Sequence, residues 1–583
     1  MKLLRIKLLE QFRSLPDNFE IKFISNGYNA NALYQFMPYC LIGRNGSGKS
    51  NLLEAIAAIF YHIECMNLNT LPSSFVYDEE ENPGGFTSDK ASIDAFEIEY
   101  LFQMEKADLP NPVQNIKSSC WKPPHAHILI TKEKGNSPVI RWMNRKLFEH
   151  NGDEVLTRLE AKGFFPNYVI GYSSGENEIL SLPFFKMRFI HYDEYEQALQ
   201  KKLPYTQPEG RLIYFDNSLS QAVFLTNYLM QDTNILNPIY KSLGIVGVSQ
   251  FRIIIRLNEY TEASEFLNTD NEDGERDEAE SSNRIKLTSR LDNLITVLKN
   301  CSTCWENKED VLFLDYCIDD ATKMAFASNF ENDPIKLFQS FQILLTLNLF
   351  EVSYHLKKEL YESSSLYVNE TVPVLASDRR IMRVKDLEIT TDKTSRIYNK
   401  SLSDGEHQFL HSMGVCLLFK NSNSLFLLDE PETHFNPEWR SLFISTLKEC
   451  LQQKGTNFMS DILITSHSPF IVSDCLQSNV LVFERSNREN SKVKVTRPEF
   501  NTFGASVNLI TNRLFHKEET ISMIASTRLK HVLKDFKAHK ISLEDAIKEA
   551  NQLGDSVEKL LIVDQLRRSS SKKTNSTKVK RRK

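Results

Sequence analysis

Several features that would assign this chain of 583 residues to a special class are missing from its sequence. It has no apolar run of roughly 18 residues, the length needed for a membrane-spanning helix. Its nine cysteines are scattered without a framework of pairs, which is typical of a reducing compartment. Its first stretch, MKLLRIKLLEQF, is interrupted by charges and alternates like a strand, unlike a signal peptide. These absences predict a soluble, cytoplasmic protein with no membrane segment.

An excess of positive charge is also missing, since the formal net charge is −6 and the whole molecule does not attract nucleic acid. The charges are nevertheless unevenly distributed. Residues 261–280 carry nine carboxylates and one arginine, which predicts a disordered acidic loop near 261–284. The segment after Asp564 carries nine Lys or Arg and no acid. It is either a solubilising, disordered tail or a contact for a nucleic-acid backbone.

Strand patterns and helix patterns along the chain predict an α/β protein. Short apolar strands dominate both ends, whereas long helical segments such as 333–362 dominate the middle. We therefore predict a mixed sheet with flanking helices, interrupted by a large helical insertion. The predicted parts are an N-terminal lobe at 1–175, the insertion at 176–380, a C-terminal lobe at 381–515, C-terminal helices at 516–566 and a basic disordered tail at 567–583.

The stretch GRNGSGKS matches the phosphate-binding pattern GxxxxGK[ST]. Glycines let backbone N–H groups approach phosphate, Lys49 reaches the β/γ oxygens, and the Ser50 hydroxyl ligates Mg²⁺. The loop follows the apolar strand YCLIG and opens a helix, whose positive dipole end favours an anion. The alternative is a glycine-rich turn without a ligand. The pattern predicts binding of ATP and Mg²⁺ by Gly43, Arg44, Asn45, Gly46, Ser47, Gly48, Lys49, Ser50 and Asn51.

Two further apolar strands end in side chains suited to ATP hydrolysis. SLFLLDEPE ends in two acids, of which Asp429 is placed to hold Mg²⁺ and Glu430 to orient the attacking water. ILITSHSPF ends at His467, which we expect to contact the γ-phosphate. Acids or a histidine at a strand end are more often structural, and only their order behind the phosphate loop favours catalysis. Gln103, which ends IEYLFQ, is a further candidate Mg²⁺ ligand.

The stretch LSDGE, residues 402–406, is by itself an ordinary helix start with Ser403 at the N-cap. The order of phosphate loop, LSxGE, apolar strand ending in DE and strand ending in His resembles the ABC-type ATPases of the SMC, RecF, RecN and OLD groups. This resemblance implies that two chains clamp two ATP molecules head to tail. The signature residues that would contact ATP across the dimer are Ser403, Asp404, Gly405 and Glu406. Asp404 replaces the usual Gly, and Asn436 replaces the usual Asp of the D-loop.

The distance between the motifs and four longer stretches of sequence indicate which members of this family the chain resembles most. About 350 residues separate the phosphate loop from the signature, more than in transporter subunits, and no long heptad run predicts a coiled coil. GYSSGENEILSLPF, SLSDGEHQFLHSMG, LLDEPETHFNP and ITSHSPFIVSDC together resemble ATPases of bacterial anti-phage operons, such as the PtuA family of Septu and retron-associated systems. Within the first of these, YSSGENE (172–178) is either a loop near the nucleotide or a structural turn.

The resemblance also implies partners. It implies a homodimer that controls a separate HNH nuclease of the PtuB type, with a retron reverse transcriptase and its msDNA as further candidates. The sequence shows no Toprim-like DxD cluster, no HNH-like cluster and no second CxxC beside CSTC, so we expect no nuclease activity and no zinc site in the chain itself. Two alternatives remain: a RecF- or RecN-like clamp that binds DNA in repair, and a scaffold that binds ATP only to assemble.

Overall fold

The computed structural model describes residues 1–24, 33, 35–68, 72, 75, 93–104, 124–148, 152–174, 179–200, 210–256, 289–309, 311–350, 352–365, 372–392, 396–452, 458–485, 493–517 and 521–580. They divide into two compact units, Met1–Glu499 and Phe500–Lys583. The predicted acidic loop at 261–284 and positions 175–178 of YSSGENE lie outside the described residues.

The strands are β1 (Lys2–Leu8), β2 (Glu20–Lys22), β3 (Tyr39–Gly43), β4 (Phe96–Gln103), β5 (His125–Lys132), β6 (Val139–Trp142), β7 (Val169–Ser173), β8 (Leu212–Tyr214), β9 (Ile245–Arg256), β10 (Cys304–Lys308), β11 (Val311–Cys317), β12 (Met382–Thr391), β13 (Ile397–Tyr398), β14 (Leu425–Asp429), β15 (Asp461–Thr465), β16 (Val480–Arg485) and β17 (Val493–Thr496).

The α-helices are α1 (Lys49–Asn67), α2 (Arg158–Lys162), α3 (Ser181–Gln200), α4 (Ser220–Met230), α5 (Thr233–Leu243), α6 (Ser289–Cys301), α7 (Asp320–Asn329), α8 (Pro334–Thr346), α9 (Tyr354–Glu362), α10 (Asp404–Leu418), α11 (Pro437–Leu451), α12 (Pro469–Ser473), α13 (Val507–Phe515), α14 (Met523–Lys537), α15 (Leu543–Asn551) and α16 (Val557–Lys580).

The central sheet holds the predicted phosphate loop and acidic strand. Its seven strands lie in the order β17-β16-β3-β15-β14-β7-β8. All neighbouring pairs are parallel except β16 and β17. β3, β14 and β15 are buried along their whole length, as is typical of parallel strands covered on both faces. Because parallel strands end at one edge of a sheet, the segments after these three strands meet there. We call this side of the sheet the carboxyl edge.

α1 packs between the central sheet and a second, antiparallel sheet. β1 pairs with β2 as an antiparallel hairpin, and the sheet continues in the order β2-β1-β4-β5-β6. The apolar residues of α1 share one core with those of β1, β4, β5 and β3. A helix that is apolar almost all round is stable only when it is covered on all sides. This packing therefore fixes α1, and with it the end of the phosphate loop.

The middle of the chain is mainly helical, as predicted, but it also contains strands. β8 joins the central sheet, and β9, β10 and β11 form a third sheet with β12 and β13. The single helix predicted at 333–362 is divided into α8 and α9. The Ser353 hydroxyl accepts a hydrogen bond from the Leu356 N–H and starts α9 anew. A serine that caps the next turn competes with continuation of the preceding helix.

The C-terminal unit is helical. Val532, Ala546 and Leu566 form its small core, and Ser506 and Ser542 cap α13 and α15. α16 continues to Lys580, so most of the basic tail, predicted to be disordered, has a helical backbone. Across both units, no helix in the described ranges is long and apolar enough to cross a membrane.

Candidate active site

The phosphate loop connects β3 to α1 through glycines in left-handed conformations. The φ angles are +150° at Gly43, +74° at Gly46 and +100° at Gly48. A Cβ on Gly43 would lie 2.4 Å from the Phe483 carbonyl oxygen, so this approach of two backbones requires glycine. No atom lies within 4 Å of a Cβ built on Gly46, which stands with Arg44 and Asn45 at the exposed tip. The loop is therefore tight where it meets the sheet and open where a phosphate would bind.

The Lys49 side chain is buried at the start of α1. Its Nζ donates hydrogen bonds to the carbonyl oxygens of Gly43 at 3.2 Å and Arg44 at 3.4 Å, and it lies 3.0 Å from His467 Nε2. Burial lowers the pKa of Lys49, while the nearby carboxylates of Glu430 and Asp429 act in the opposite direction. The ammonium therefore lies between the loop and the acids, where the chemistry requires it.

Ser50 and Asp429 form the predicted metal position. Ser50 Oγ donates to Asp429 Oδ1 at 2.9 Å, and Thr465 Oγ1 donates to the same oxygen. Burial raises the pKa of Asp429, and the two hydroxyls lower it. A hydroxyl and a carboxylate oxygen side by side are ligands that suit Mg²⁺. The residues present therefore fit the predicted metal.

Glu430 is held in a strained conformation at the carboxyl edge. Its φ of +48° lies in the left-handed region, which is costly for a residue with a Cβ. Its N–H donates to Thr465 Oγ1 at 2.9 Å, and its carbonyl accepts from the Ser174 hydroxyl. Its Oε1 lies 3.3 Å from His467 Nε2, and this hydrogen bond is the main reason that the pKa of Glu430 is lowered. The carboxylate is thus kept ionised beside Lys49.

Three further residues hold this edge together: sequence reasoning missed Thr465 and Glu432, and it named Ser174 only as part of YSSGENE. Thr465 links Asp429 to the Glu430 backbone, and Ser174 adds a contact to Glu430 from the end of β7. Glu432 is buried and accepts a hydrogen bond from Ser466, and its burial raises its pKa to about 7. The sequence offered two signals for these residues. They are the hydroxyl residues directly before His467 in ITSHS and the third acid, which follows DE in DEPE.

The signature begins α10 with a capping box. Ser403 Oγ accepts from the Glu406 N–H at 3.4 Å, and the Ser403 N–H donates to Glu406 Oε2 at 2.7 Å. Ser403 and Asp404 are exposed. A Cβ on Gly405 would lie 2.8 Å from the His434 carbonyl oxygen, so glycine allows α10 to approach the segment that follows Glu430.

Two predicted site residues have local partners in the structure. Asn436 caps α11, with its Oδ1 accepting from the Trp439 N–H at 2.8 Å. Asp and Asn are both strong N-cap residues, which accounts physically for Asn at this position. Asn51 Nδ2 donates to Ser14 Oγ at 2.7 Å, so its amide holds the segment that follows β1 against α1.

The structure does not bring Gln103 to the metal position. Gln103 ends β4 in the antiparallel sheet, and its carbonyl accepts from Asn423 Nδ2 at 3.1 Å. Asn423 precedes β14, whereas Asp429 ends it, and five residues of strand span about 17 Å. Gln103 therefore lies towards the opposite edge of the central sheet, and its prediction as an Mg²⁺ ligand is corrected.

Solved structures show a distant likeness. An SMC head bound to the C-winged helix domain of ScpA is 12% identical, with a TM-score of 0.31, covering 86% of this chain and 98% of that one. The SMC head domain from Thermotoga maritima is 10% identical, again with a TM-score of 0.31, covering 86% and 100%. Scores at this level support no argument about activity or partners.

Among curated proteins, protein ea59 of Escherichia phage lambda is 23% identical over 206 residues, which are 34% of this chain and 37% of ea59. The match thus spans little more than a third of that relative's length. The family described as AAA ATPase domain (AAA_15) matches residues 1–472, a range that includes every predicted site residue. The chain therefore belongs to the AAA ATPase domain family.

Proposed function

We propose that this protein is an ATP-hydrolysing switch that dimerises head to tail around ATP and controls an associated HNH nuclease in an anti-phage complex. The observation that carries the ATPase part is the convergence of Lys49, Ser50, Asp429 and Glu430 at one edge of the sheet. These residues come from positions almost 400 apart in sequence, and only the parallel order of β3, β15 and β14 brings them together.

Each residue has a role that its surroundings support. Lys49 and the loop N–H groups bind the phosphates, and Ser50 with Asp429 holds the metal. Bound Mg²⁺ supplies positive charge that offsets the charge on the β- and γ-phosphates. Glu430, whose pKa is lowered by His467, is ionised at neutral pH and orients the attacking water. His467 Nε2 lies between Lys49 Nζ and Glu430 Oε1, and by donating to the carboxylate it keeps Glu430 beside the ammonium.

Exposure of the signature supports the head-to-tail dimer. Ser403 and Asp404 face solvent at the N-terminus of a 15-residue helix, an end whose dipole favours an anion. The same helix contacts the segment after Glu430, because Gln408 Oε1 accepts from the His434 N–H at 3.0 Å. A γ-phosphate bound at Ser403 of one chain would therefore lie close to that chain's own carboxyl edge. We call this edge, with Lys49, Asp429 and Glu430, the catalytic edge.

The sequence resemblance supports the choice of partners. We assign cutting to a separate HNH nuclease, and a retron reverse transcriptase with its msDNA is a further candidate. In the C-terminal unit, Met523, Ile524, Leu560 and Leu561 are exposed apolar side chains, a composition suited to holding such a protein. Nucleic acid would be reached through these partners or through the basic tail.

A mixing experiment tests the shared active site. Ser403→Arg and Lys49→Ala should each abolish hydrolysis alone, because each variant spoils both sites of its own dimer. When they are mixed in equal amounts, half of the dimers are heterodimers, each with one intact site, so about a quarter of wild-type phosphate release should return. A mixture that stays inactive, although mixed dimers are detected by native mass spectrometry, would refute the head-to-tail site.

Affinity purification with the native neighbouring genes, with and without ATP, tests the partners. Recovery of a small HNH protein, with or without a reverse transcriptase, supports the nuclease-control function. Recovery of DNA alone, lost at high salt, would instead favour a RecF- or RecN-like clamp that binds DNA directly.

A further inference from the structure

A cleft of about 820 Å³ lies away from the catalytic edge, on the side of the central sheet where β8 is the last strand. Its walls come from α3, the turn at 217–219, the end of α8, the start of β12 and the start of α10. None of the residues assigned above to binding or hydrolysis of ATP lines it. Its volume lies within the range of about 300–1,000 Å³ that is typical of small-molecule sites.

The cleft has an excess of positive charge. Its cationic side chains are Arg188, Arg380, Arg383 and Lys400, and the described part of its lining contains one carboxylate, Asp216. Arg188 Nη1 donates to Asp216 Oδ2 at 2.7 Å, so these two charges compensate each other. Three cations therefore face the cleft without a carboxylate in the same lining. Such a surface attracts an anion.

Among the described residues, Arg380, just before β12, and Arg383, on β12, have no carboxylate within hydrogen-bond distance, and Asp378 and Asp386 act on Arg383 only through their charge. Arg380 Nε donates to the Leu375 carbonyl at 3.3 Å, and Arg383 Nη1 donates to Ser377 Oγ at 2.6 Å, both neutral acceptors. Arg383 Nε is buried and has no hydrogen-bond partner among the described residues, and the same is true of Nη1 of the neighbouring Arg256. Burial, and then the charge of Arg256, lowers the pKa of Arg383. A phosphate oxygen would supply the missing acceptor, because guanidinium pairs with phosphate through two parallel hydrogen bonds.

Another part of the lining is apolar and partly aromatic. It includes Phe184, Phe185, Leu345 and Leu349. A ligand that fills this cleft therefore needs a flat or apolar part as well as anionic groups. A nucleotide combines a base, which can pack against such side chains, with phosphates.

The cleft also borders the signature. Lys400 and His407 line it, and Ser403 lies between them in sequence. The Leu402 N–H donates to the Asn399 carbonyl at 3.2 Å, so the turn that carries Lys400 leads directly into the N-cap of α10. A ligand on Lys400 and His407 would contact the segment that positions Ser403.

We propose that this cleft binds a small phosphorylated nucleotide, distinct from the ATP of the phosphate loop, and that this ligand adjusts the signature helix. Binding at the cleft does not require ATP hydrolysis. A lack of binding would therefore refute this proposal and leave the proposed switch function standing, and a lack of hydrolysis would do the reverse.

The binding test uses full-length Lys49→Ala protein, which removes competition from the phosphate loop, and 5′-phosphorylated diadenylate as the probe in titration calorimetry. We expect saturable binding, weakened at least about tenfold by Arg380→Gln with Arg383→Gln, because the double variant removes the charged hydrogen-bond donors for the phosphate. Arg379→Gln is the matched control, because it removes the same charge one residue away from the lining and should leave affinity unchanged within about twofold. Lys400→Gln, an exposed position that cannot disturb the core, should also weaken binding.

No saturable binding up to millimolar probe, or equal binding by the double variant, would overturn the proposal. If the cleft bound a ten-nucleotide strand but not the dinucleotide, the proposal would also be overturned. The cleft would then be assigned to nucleic acid. In wild-type protein, saturating diadenylate should change ATP turnover at least about twofold, and unchanged turnover would refute the effect on the signature.

Discussion

The catalytic edge and the signature are two halves of the proposed ATP site, but they are built in opposite ways. At the catalytic edge, Lys49, Asp429 and Glu432 are buried, and their hydrogen bonds come from strands far apart in sequence. At the signature, Ser403 and Glu406 bond to each other within one helical turn. The first half therefore depends on the whole sheet, whereas the second needs only its own helix.

Because of this difference, the two halves should respond differently to substitution. Buried ionisable groups respond strongly to each other, since the effective dielectric constant around them is low. An exposed helix start can be altered without disturbing the core, yet it can complete a site on another molecule. Changes at the catalytic edge should therefore affect chemistry and folding, and changes at the signature should affect mainly assembly.

The largest expected effect is on hydrolysis. Glu430→Gln removes the carboxylate that His467 holds ionised, and phosphate release should fall at least about 100-fold, the usual minimum for loss of a general base. Binding of ATP should persist, and the ATP-dependent dimer should become longer-lived in light-scattering chromatography. Glu449→Gln, an exposed change on α11, is the control and should hydrolyse ATP normally. Unchanged turnover in Glu430→Gln would favour a scaffold that binds ATP only to assemble.

A smaller effect is expected on the pH dependence of the free energy of unfolding. Burial raises the pKa of Glu432 from 4.5 to about 7, so the folded protein keeps a proton that the unfolded chain loses. The free energy of unfolding should therefore fall between about pH 4.5 and pH 7 and level off above it, with a contribution of about 3 kcal/mol from this group. Glu432→Gln cannot ionise, so its stability relative to wild type should rise between pH 5 and pH 8 in urea unfolding. A difference that is constant with pH would contradict the buried, protonated Glu432.

The smallest effect is expected at the signature cap. Glu406→Ala removes the acceptor of the Ser403 N–H and should lower the free energy of unfolding by about 1 kcal/mol or less. Glu406→Gln keeps an acceptor at the same place and should be close to wild type. Thermal unfolding of both variants measures this. A loss as large as that produced by a core substitution would show that α10 depends on more than its local cap.

Much of the candidate site could be predicted from the sequence because its parts are short and local. Glycine spacing defines the loop up to Lys49, and an apolar run of four residues defines the strand that ends at Asp429. Gln103 was misplaced because a glutamine at a strand end carries no information on which sheet the strand joins. Thr465 was missed because its hydroxyl matters only through its distance from Asp429 and Glu430.

The sequence by itself determined the elements whose causes are local: the strand before the phosphate loop, the caps at Ser403, Ser506 and Ser542, and the residues able to bind phosphate and metal. Tertiary structure alone decided that β15 lies between β3 and β14, that β9–β11 form a sheet within the helical middle, and that an arginine-rich cleft borders the signature. The physical reason is that caps and turns depend on neighbours along the chain. Strand order and clefts depend on which apolar faces are buried together, and this is settled among segments hundreds of residues apart.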